Sequence, residues 1–361
     1  LKDVAKASGK YFVGTRNFQL VDSTRSMWFN DDIKNFRTLS VKMWYPADEN
    51  SLSERAPYVD QYELIAKALS TSLGVPEALM SRAGAVKCNS WLNADISIGN
   101  FPIVIYSHGH QSLKIANTFQ AEEIASNGYI VIAPDHTYDA ALTIIDNDKI
   151  IYTRSKLPNS DEEAEDSEMI KKVKEQLNIR VEDISFVIDK MIEKFSKDKK
   201  FNQSADFENI GIFGHSFGGC TAIMAANNDN RIDAILGLDA YFLPLPNYII
   251  EKNINKPFVH IGQTSWGDSN NYELMKIWGS NNNQNSFHFS VEGSKHNDFT
   301  DFSQFTKLTR KFGSGKVPRK IMRNIMNDVM LQFFNYHLKS IDNFNAYQFE
   351  NKYERVKTYV H

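Results

Sequence analysis

The pentapeptide Gly214-His215-Ser216-Phe217-Gly218 constrains this chain more than any other segment. The apolar run Asn209-Ile210-Gly211-Ile212-Phe213 precedes it, and the small-residue stretch Gly219-Cys220-Thr221-Ala222-Ile223-Met224-Ala225-Ala226 follows. That pattern predicts a strand that turns sharply and leaves as a helix, with Ser216 at the apex of the turn. Glycines two residues either side of the serine remove side chains that would collide across so tight a turn. With 18 glycines in 361 residues, composition alone yields about 0.06 such pentapeptides. Chance is therefore a poor explanation of the motif.

The rest of the chain alternates strand-like and helix-like segments, which predicts an α/β fold. Early strands are expected over Tyr11 to Val21 and Thr38 to Tyr45, the latter alternating in polarity and ended by Pro46. Phe101 to Tyr106 and Tyr129 to Ala133 are continuously apolar, as buried parallel strands are. Between them a helix is expected from about Leu113 to Ser126, closed by Asn127-Gly128. A long helix spans roughly Glu168 to Lys197, with Ile179, Val181, Ile184, Val187, Ile188 and Met191 on its apolar positions. Further strands follow at Ile232 to Leu238, Pro257 to Gly262 and Phe287 to Val291. A last helix over Pro318 to Leu338 carries Ile321, Ile325, Val329, Phe333 and Phe334 on one side. Together with the serine turn, this order predicts one α/β-hydrolase domain over residues 1–361. Its central sheet is mostly parallel, with helices on both faces. Two stretches break the alternation. Residues 57–100 carry short helical patterns at Tyr62 to Leu73 and Pro76 to Gly84 and read as an inserted helical cap or wall. Residues 154–169 hold the run Ser160-Asp161-Glu162-Glu163-Ala164-Glu165-Asp166 and read as an acidic surface loop.

Bulk properties remove several function classes. Net charge is −3, and the densest basic cluster is Lys197-Asp198-Lys199-Lys200, so no nucleic-acid partner is expected. No apolar run approaches the roughly 18 residues of a membrane span. The two cysteines, Cys88 and Cys220, make no disulfide framework, and Cys220 reads as a small buried hydrophobe in the helix after the serine. A first residue of Leu1 rather than Met leads to the expectation of a removed signal peptide and export. Abundant Asn, Lys, Phe and Ile point to a bacterial source. No metal or other cofactor is expected: neither His-Glu-x-x-His nor Cys-x-x-Cys occurs, and Asp135-His136 supplies only two residues of a metal site.

A serine hydroxyl needs a base within hydrogen-bond reach, and the base needs a carboxylate to fix its tautomer. In this fold the order along the chain is serine, acid, histidine. His260 and His288 fall inside strands, His337 late in the last helix, and His361 at the terminus. His296 lies in Gly293-Ser294-Lys295-His296-Asn297-Asp298-Phe299, between the last strand and the last helix, where the fold supplies its base. Two acids compete. Asp239 directly follows the strand Ile232 to Leu238, while Asp268 stands on the loop Gln263-Thr264-Ser265-Trp266-Gly267-Asp268 after the next strand. The residues alone leave both open. For the oxyanion, one N–H is expected from Phe217 and one from His110, with Gly109 letting the backbone pass close. The side chains of His108 and His110 read as structural. Tyr241, Phe242, Leu243 and Leu245, and also Trp28-Phe29, stand as candidates for an acyl pocket or a lipid-surface contact, with ordinary packing as the alternative.

Over roughly residues 18–305 these motifs resemble the group II (plasma-type) platelet-activating-factor acetylhydrolases and their bacterial relatives. Gly214-His215-Ser216-Phe217-Gly218-Gly219 looks like the family's serine turn, and Ser107-His108-Gly109 like its oxyanion loop. Ala121-Glu122-Glu123-Ile124-Ala125-Ser126-Asn127, followed by Gly128-Tyr129-Ile130-Val131, is similar to the next helix and strand. Leu238-Asp239-Ala240 with Phe242-Leu243-Pro244-Leu245 resembles the acid segment, and His296-Asn297-Asp298-Phe299-Thr300-Asp301-Phe302 the histidine segment. Carried over residue by residue, the resemblance selects Asp239 over Asp268 and supports Ser216, His296, Phe217 and His110. It implies calcium-independent hydrolysis of short or oxidised acyl groups from phospholipids, through an acyl-enzyme. The alternative is a general carboxylesterase or amidase acting on non-lipid substrates.

Overall fold

The computed structural model describes all residues except 1–2, 29–34, 67–85, 159–166, 252–253, 267–269, 283–285, 306 and 342. The strands are β1 (Phe12–Ser26), β2 (Phe36–Ala47), β3 (Arg55–Pro57), β4 (Lys87–Leu92), β5 (Phe101–Ser107), β6 (Ile130–Asp135), β7 (Leu142–Ile145), β8 (Lys149–Tyr152), β9 (Ala205–His215), β10 (Ile232–Leu238), β11 (Phe258–Gly262), β12 (Ser286–Val291) and β13 (Val356–Val360). Eleven of them form one sheet in the order β13-β12-β11-β10-β9-β5-β6-β2-β1-β4-β3. From β6 through β5, β9, β10 and β11 to β12 every neighbouring pair is parallel. Antiparallel β2 and β13 flank that block.

The strands of the block are buried on both faces because helices cover both. Along β5, Ile103 and Ile105 enter one core with the long helix α2 (Ser167–Lys197) and α3 (Phe217–Asn228). Val104 and Tyr106 enter the other, with α1 (Thr118–Ser126) and α5 (Arg319–Lys339). The period-2 alternation of strand side chains thus splits one apolar run between two cores. This is the α/β-hydrolase architecture expected from the sequence.

Several details differ from the expectations. The helix expected from Leu113 begins at Thr118, because the Asp301 carboxylate takes the N–H groups of Thr118 (2.7 Å) and Phe119 (3.4 Å) and caps the first turn there. Pro46 does not end β2; it pairs with Val13 inside the ladder. Lying between β1 and β6, β2 buries both faces, including Lys42, whose Nζ sits 2.5 Å from Asp60. On α5, Ile321 is exposed and Met322 takes its place in the core. The helix α4 (Asn271–Asn281) lies between β11 and β12, a short helix α6 (Tyr347–Lys352) and β13 follow α5, and the hairpin β7–β8 turns at Asp146 and Asn147, both at positive φ.

The 57–100 segment is not purely helical. Its described part holds a helical turn at residues 62–66, and β4 joins the main sheet in parallel with β1. The rest of the first predicted helix, all of the second and the acidic run 160–166 lie outside the described residues. Cys88 and Cys220 are free and buried. No described helix is long and apolar enough to cross a membrane.

Candidate active site

The turn between β9 and α3 holds Ser216 at φ 54°, ψ −121°, a backbone conformation that non-glycine residues rarely adopt. The turn is over-determined by packing. A Cβ on Gly214 would overlap the Gly218 carbonyl, and one on Gly218 would overlap the Ser107 carbonyl. Both glycines are therefore required by close backbone approach. The serine peptide is also clamped from the acid side. Ser216 N–H donates to Leu238 O at 3.0 Å, and Ser216 O accepts from Tyr241 N–H at 2.9 Å.

Asp239 leaves β10 at φ 44° in a second strained turn. Asp239 N–H donates to Ile261 O (2.7 Å), Ala240 N–H to His260 Nε2 (2.9 Å) and Phe242 N–H to Asn271 Oδ1 (2.6 Å). The carboxylate itself is fully buried. It accepts from His296 Nδ1 (2.6 Å), Tyr272 Oη (2.5 Å), Gln263 Nε2 (2.9 Å), Trp266 Nε1 (3.1 Å) and Gln263 N–H (3.2 Å). Burial opposes its ionisation, but the His296 hydrogen bond and charge, then the Tyr272 bond, hold its pKa well below the usual carboxylate range. Burial, and then the same carboxylate, pushes the Tyr272 hydroxyl far above its ordinary value.

His296 opens a short 3-10 turn over His296–Phe299, and its side chain is 35% exposed. Its ring stands edge-on to Trp266, with centroids 5.0 Å apart, and lies 4.5 Å from the ring of His215. His215 Nε2 donates to His296 O at 3.1 Å. Burial, reinforced by the nearby His296, pushes the His215 pKa down to about 3, so that ring is neutral at ordinary pH.

Ser216 and His296 open onto one cavity of about 660 Å³, together with Gly109 and His110. Its walls are largely apolar, from Tyr58, Val59, Ile65, Val86, Leu113, Ile115, Phe302 and Phe305 among others. The Ser107-His108-Gly109-His110 loop passes directly beside the serine. A Cβ on Gly109 would stand 2.9 Å from His215 Nδ1 and 3.4 Å from Ser216 Cβ. Phe217 opens α3, and its N–H precedes the first bond of the turn, from Gly219 N–H to Ser216 O at 2.9 Å. The site thus presents a serine on a strained turn, a histidine held by a buried carboxylate, and backbone N–H groups at a helix start.

Other expected residues fall elsewhere. Asp268 lies outside the described residues, while Gln263 and Trp266 from the same loop donate to Asp239. Phe242 and Leu245 are buried, Phe242 packing on Phe258 and Trp278, and neither lines the cavity at Ser216. Tyr241 stacks on Trp266 (5.3 Å), Leu243 is exposed, and Phe29 lies outside the described residues. Asp135 pairs with Lys114 and His136 with Asp183, so the two side chains do not share a ligand. His110 is among the residues lining the cavity, and its ring stands edge-on to that of Phe217 with centroids 6.5 Å apart. Sequence reasoning missed Gln263, Trp266 and Tyr272 around the acid, and His260 beneath its turn.

Fold and site together define an α/β-hydrolase. The profile of "Platelet-activating factor acetylhydrolase, isoform II" matches residues 2–358, nearly the whole chain. The chain belongs to that family. It is 25% identical over 356 residues to the platelet-activating factor acetylhydrolase of Canis lupus familiaris, covering 93% of this chain and 77% of the relative. The corresponding protein of Gallus gallus is 23% identical over 336 residues, covering 82% and 78%. In three dimensions the chain resembles the ferulic acid esterase from Streptomyces cinnamoneus, with a TM-score of 0.78, 24% identity and 99% of each chain covered. The family makes this protein a carboxylic ester hydrolase.

Proposed function

We propose that Ser216, His296 and Asp239 act as the nucleophile, general base and orienting acid of an acyl-enzyme mechanism. The observation that carries this reading is the 2.6 Å contact of His296 Nδ1 with Asp239 Oδ2 beside a cavity that also takes in Ser216. Because Asp239 stays ionised, Nδ1 of His296 carries the proton and donates it to the carboxylate. Nε2 is then left as the acceptor for the serine proton. Ser216 Oγ attacks the ester carbonyl as His296 takes its proton, and the N–H groups of Phe217 and His110 receive the oxyanion. His296 then protonates the leaving alcohol. The same ring activates the water that releases the acid and restores Ser216.

The substrate proposed is a short-acyl ester, platelet-activating-factor-like phospholipids included, in keeping with the names of the relatives. The described parts of the 57–100 segment act as a wall of the site, since Tyr58, Val59, Ile65 and Val86 line the cavity. A second reading, a carboxylesterase of broader range, is favoured by the cavity volume of about 660 Å³, which exceeds what an acetyl group fills. The test is an ester panel from acetyl to long acyl, with a short-acyl phospholipid and a matched amide, run on wild type and Ser216→Ala. Ser216-dependent turnover falling with acyl length supports the proposal. Activity confined to long-acyl or amide substrates overturns it.

A further inference from the structure

Beneath the candidate oxyanion loop lies a second Asp-His-Ser chain, remote from solvent. His136 Nδ1 stands 3.0 Å from Asp183 Oδ2, and His136 Nε2 stands 3.1 Å from Ser107 Oγ. All three side chains are buried, Ser107 with no exposed surface, so no substrate reaches this serine and the chain is not another active site. Asp183 is paired to Arg37 through Nε at 2.9 Å and so stays ionised. That fixes every proton. His136 donates through Nδ1 to Asp183, Ser107 Oγ–H donates to His136 Nε2, and the Ser107 oxygen is left free to accept.

What it accepts is a hydrogen bond from the buried Arg180, whose Nη2 lies 3.0 Å from Ser107 Oγ and also donates to His108 O. The other arm of the guanidinium is held by Asp139, with Nη1 at 2.6 Å from Oδ1, and Asp139 is held in turn by Gln176 at 2.9 Å. The guanidinium carbon lies over the Phe217 ring, 4.9 Å from its centroid. Arg180 therefore touches both segments from which oxyanion N–H groups are proposed to come: the loop before His110, through the His108 carbonyl, and Phe217, through its ring. His108 adds a further lock, its Nε2 accepting from His136 N–H at 3.0 Å and its Nδ1 donating to Gly109 O at 2.7 Å.

We propose that Arg180, set by Asp139 on one side and by the Asp183-His136-Ser107 chain on the other, is a positioning residue that fixes the spacing of the His110 and Phe217 N–H groups. The inference rests on the oxyanion reading given above. A planar guanidinium suits the task because one rigid group serves a carboxylate, a hydroxyl, a carbonyl and a ring face together. A lysine keeps the charge but cannot span these partners. If the spacing of the two N–H groups is what Arg180 sets, its loss harms an ester whose oxyanion is oxygen far more than one whose anion forms on sulfur, a weak acceptor.

The experiment compares hydrolysis of an aryl acetate and of its thionoacetate counterpart by wild type, Ser216→Ala, Arg180→Lys and Ser107→Ala. Circular dichroism and thermal unfolding check that each variant is folded. In Arg180→Lys the oxo/thiono ratio of kcat/KM is expected to fall by about tenfold or more, with the loss in kcat rather than KM. Ser107→Ala keeps Arg180 and Asp139 and is expected to lower the ratio by about threefold. A general loss of packing lowers both substrates together and leaves the ratio in place. A ratio unchanged in folded Ser107→Ala and Arg180→Lys overturns this inference alone, and Ser107→Ala decides by itself if the arginine variant does not fold. Turnover that survives in Ser216→Ala overturns the proposed function instead.

Discussion

His296 Nδ1 lies 2.6 Å from Oδ2 of Asp239, and the aspartate is fully buried while the histidine side chain is 35% exposed. This asymmetry follows from the sheet. β10 ends inside the parallel block, so the residue after it enters a tight turn roofed by the loop after β11. His296 stands on the following loop, where it reaches the cavity. Tyr272, Trp266 and the Gln263 N–H satisfy Oδ1, the oxygen that His296 does not use, while Gln263 Nε2 shares Oδ2 with His296. The Asp239 carboxylate is thereby held ionised, while His296 borders the cavity that also takes in Ser216.

Asp239→Asn is expected to lower kcat by about 10³- to 10⁴-fold with little change in KM, because an amide cannot hold the same tautomer of His296. Asp268→Asn is expected to stay within about threefold of wild type. Steady-state kinetics of the two variants on one acetyl ester check the assignment. A larger loss at Asp268 would reverse it.

Tyr272→Phe removes one donor from a buried carboxylate and adds nothing in its place. The expected cost is about 1.5–3 kcal/mol of stability. Urea unfolding of variant and wild type gives the number directly. A cost near zero would mean that the 2.5 Å contact of Tyr272 with Asp239 carries no net stabilisation.

Gly218→Ala places a methyl group on the Ser107 carbonyl, where the serine turn and the loop before His110 meet backbone to backbone. Neither side can yield as a flexible side chain would. Activity is expected to fall at least about 100-fold, and stability by about 2 kcal/mol. A variant that folds and turns over like wild type would show that these two segments need not touch.

Stability is expected to fall as the medium is acidified from pH 7 to 4. Burial lowers the pKa of His136 and His260 from 6.5 to about 4, and of His215 from 6.5 to about 3. Between those values and 6.5 the unfolded chain binds protons that the folded chain refuses, so stability is complete above about pH 7 and drains downward. The depressed carboxylates Asp239 and Asp183 extend the loss below the ordinary aspartate range. Thermal midpoints measured at half-unit pH steps check the sign. A midpoint that rises between pH 6.5 and 4 would contradict it.

The serine turn, the long helix, the parallel strands and the His296 loop were legible because each is local: a glycine spacing, an apolar period, a position between two elements. Asp239 was less so. The residues left it level with Asp268, and only the family resemblance separated them. Nothing near Asp239 in the chain records that Tyr272 and Trp266 will donate to it across two later loops. The sequence carries a signal for Arg180 in the spacing of its helix. Val173, Gln176, Leu177, Arg180, Asp183 and Ile184 share the buried stripe of α2, so two charges at helical spacing sit where apolar residues are expected. The carboxylate of Asp301 that starts α1 is likewise a contact between segments more than 180 residues apart, invisible to a local pattern.

The nucleophile is tested most directly by covalent labelling. Folded protein is treated with a fluorophosphonate, digested, and the modified residue located by mass spectrometry. One phosphonyl group on Ser216, with hydrolysis of an acetyl ester lost in proportion to labelling, is the predicted result. An unlabelled Ser216, or a protein still fully active once Ser216 is modified, would contradict the account.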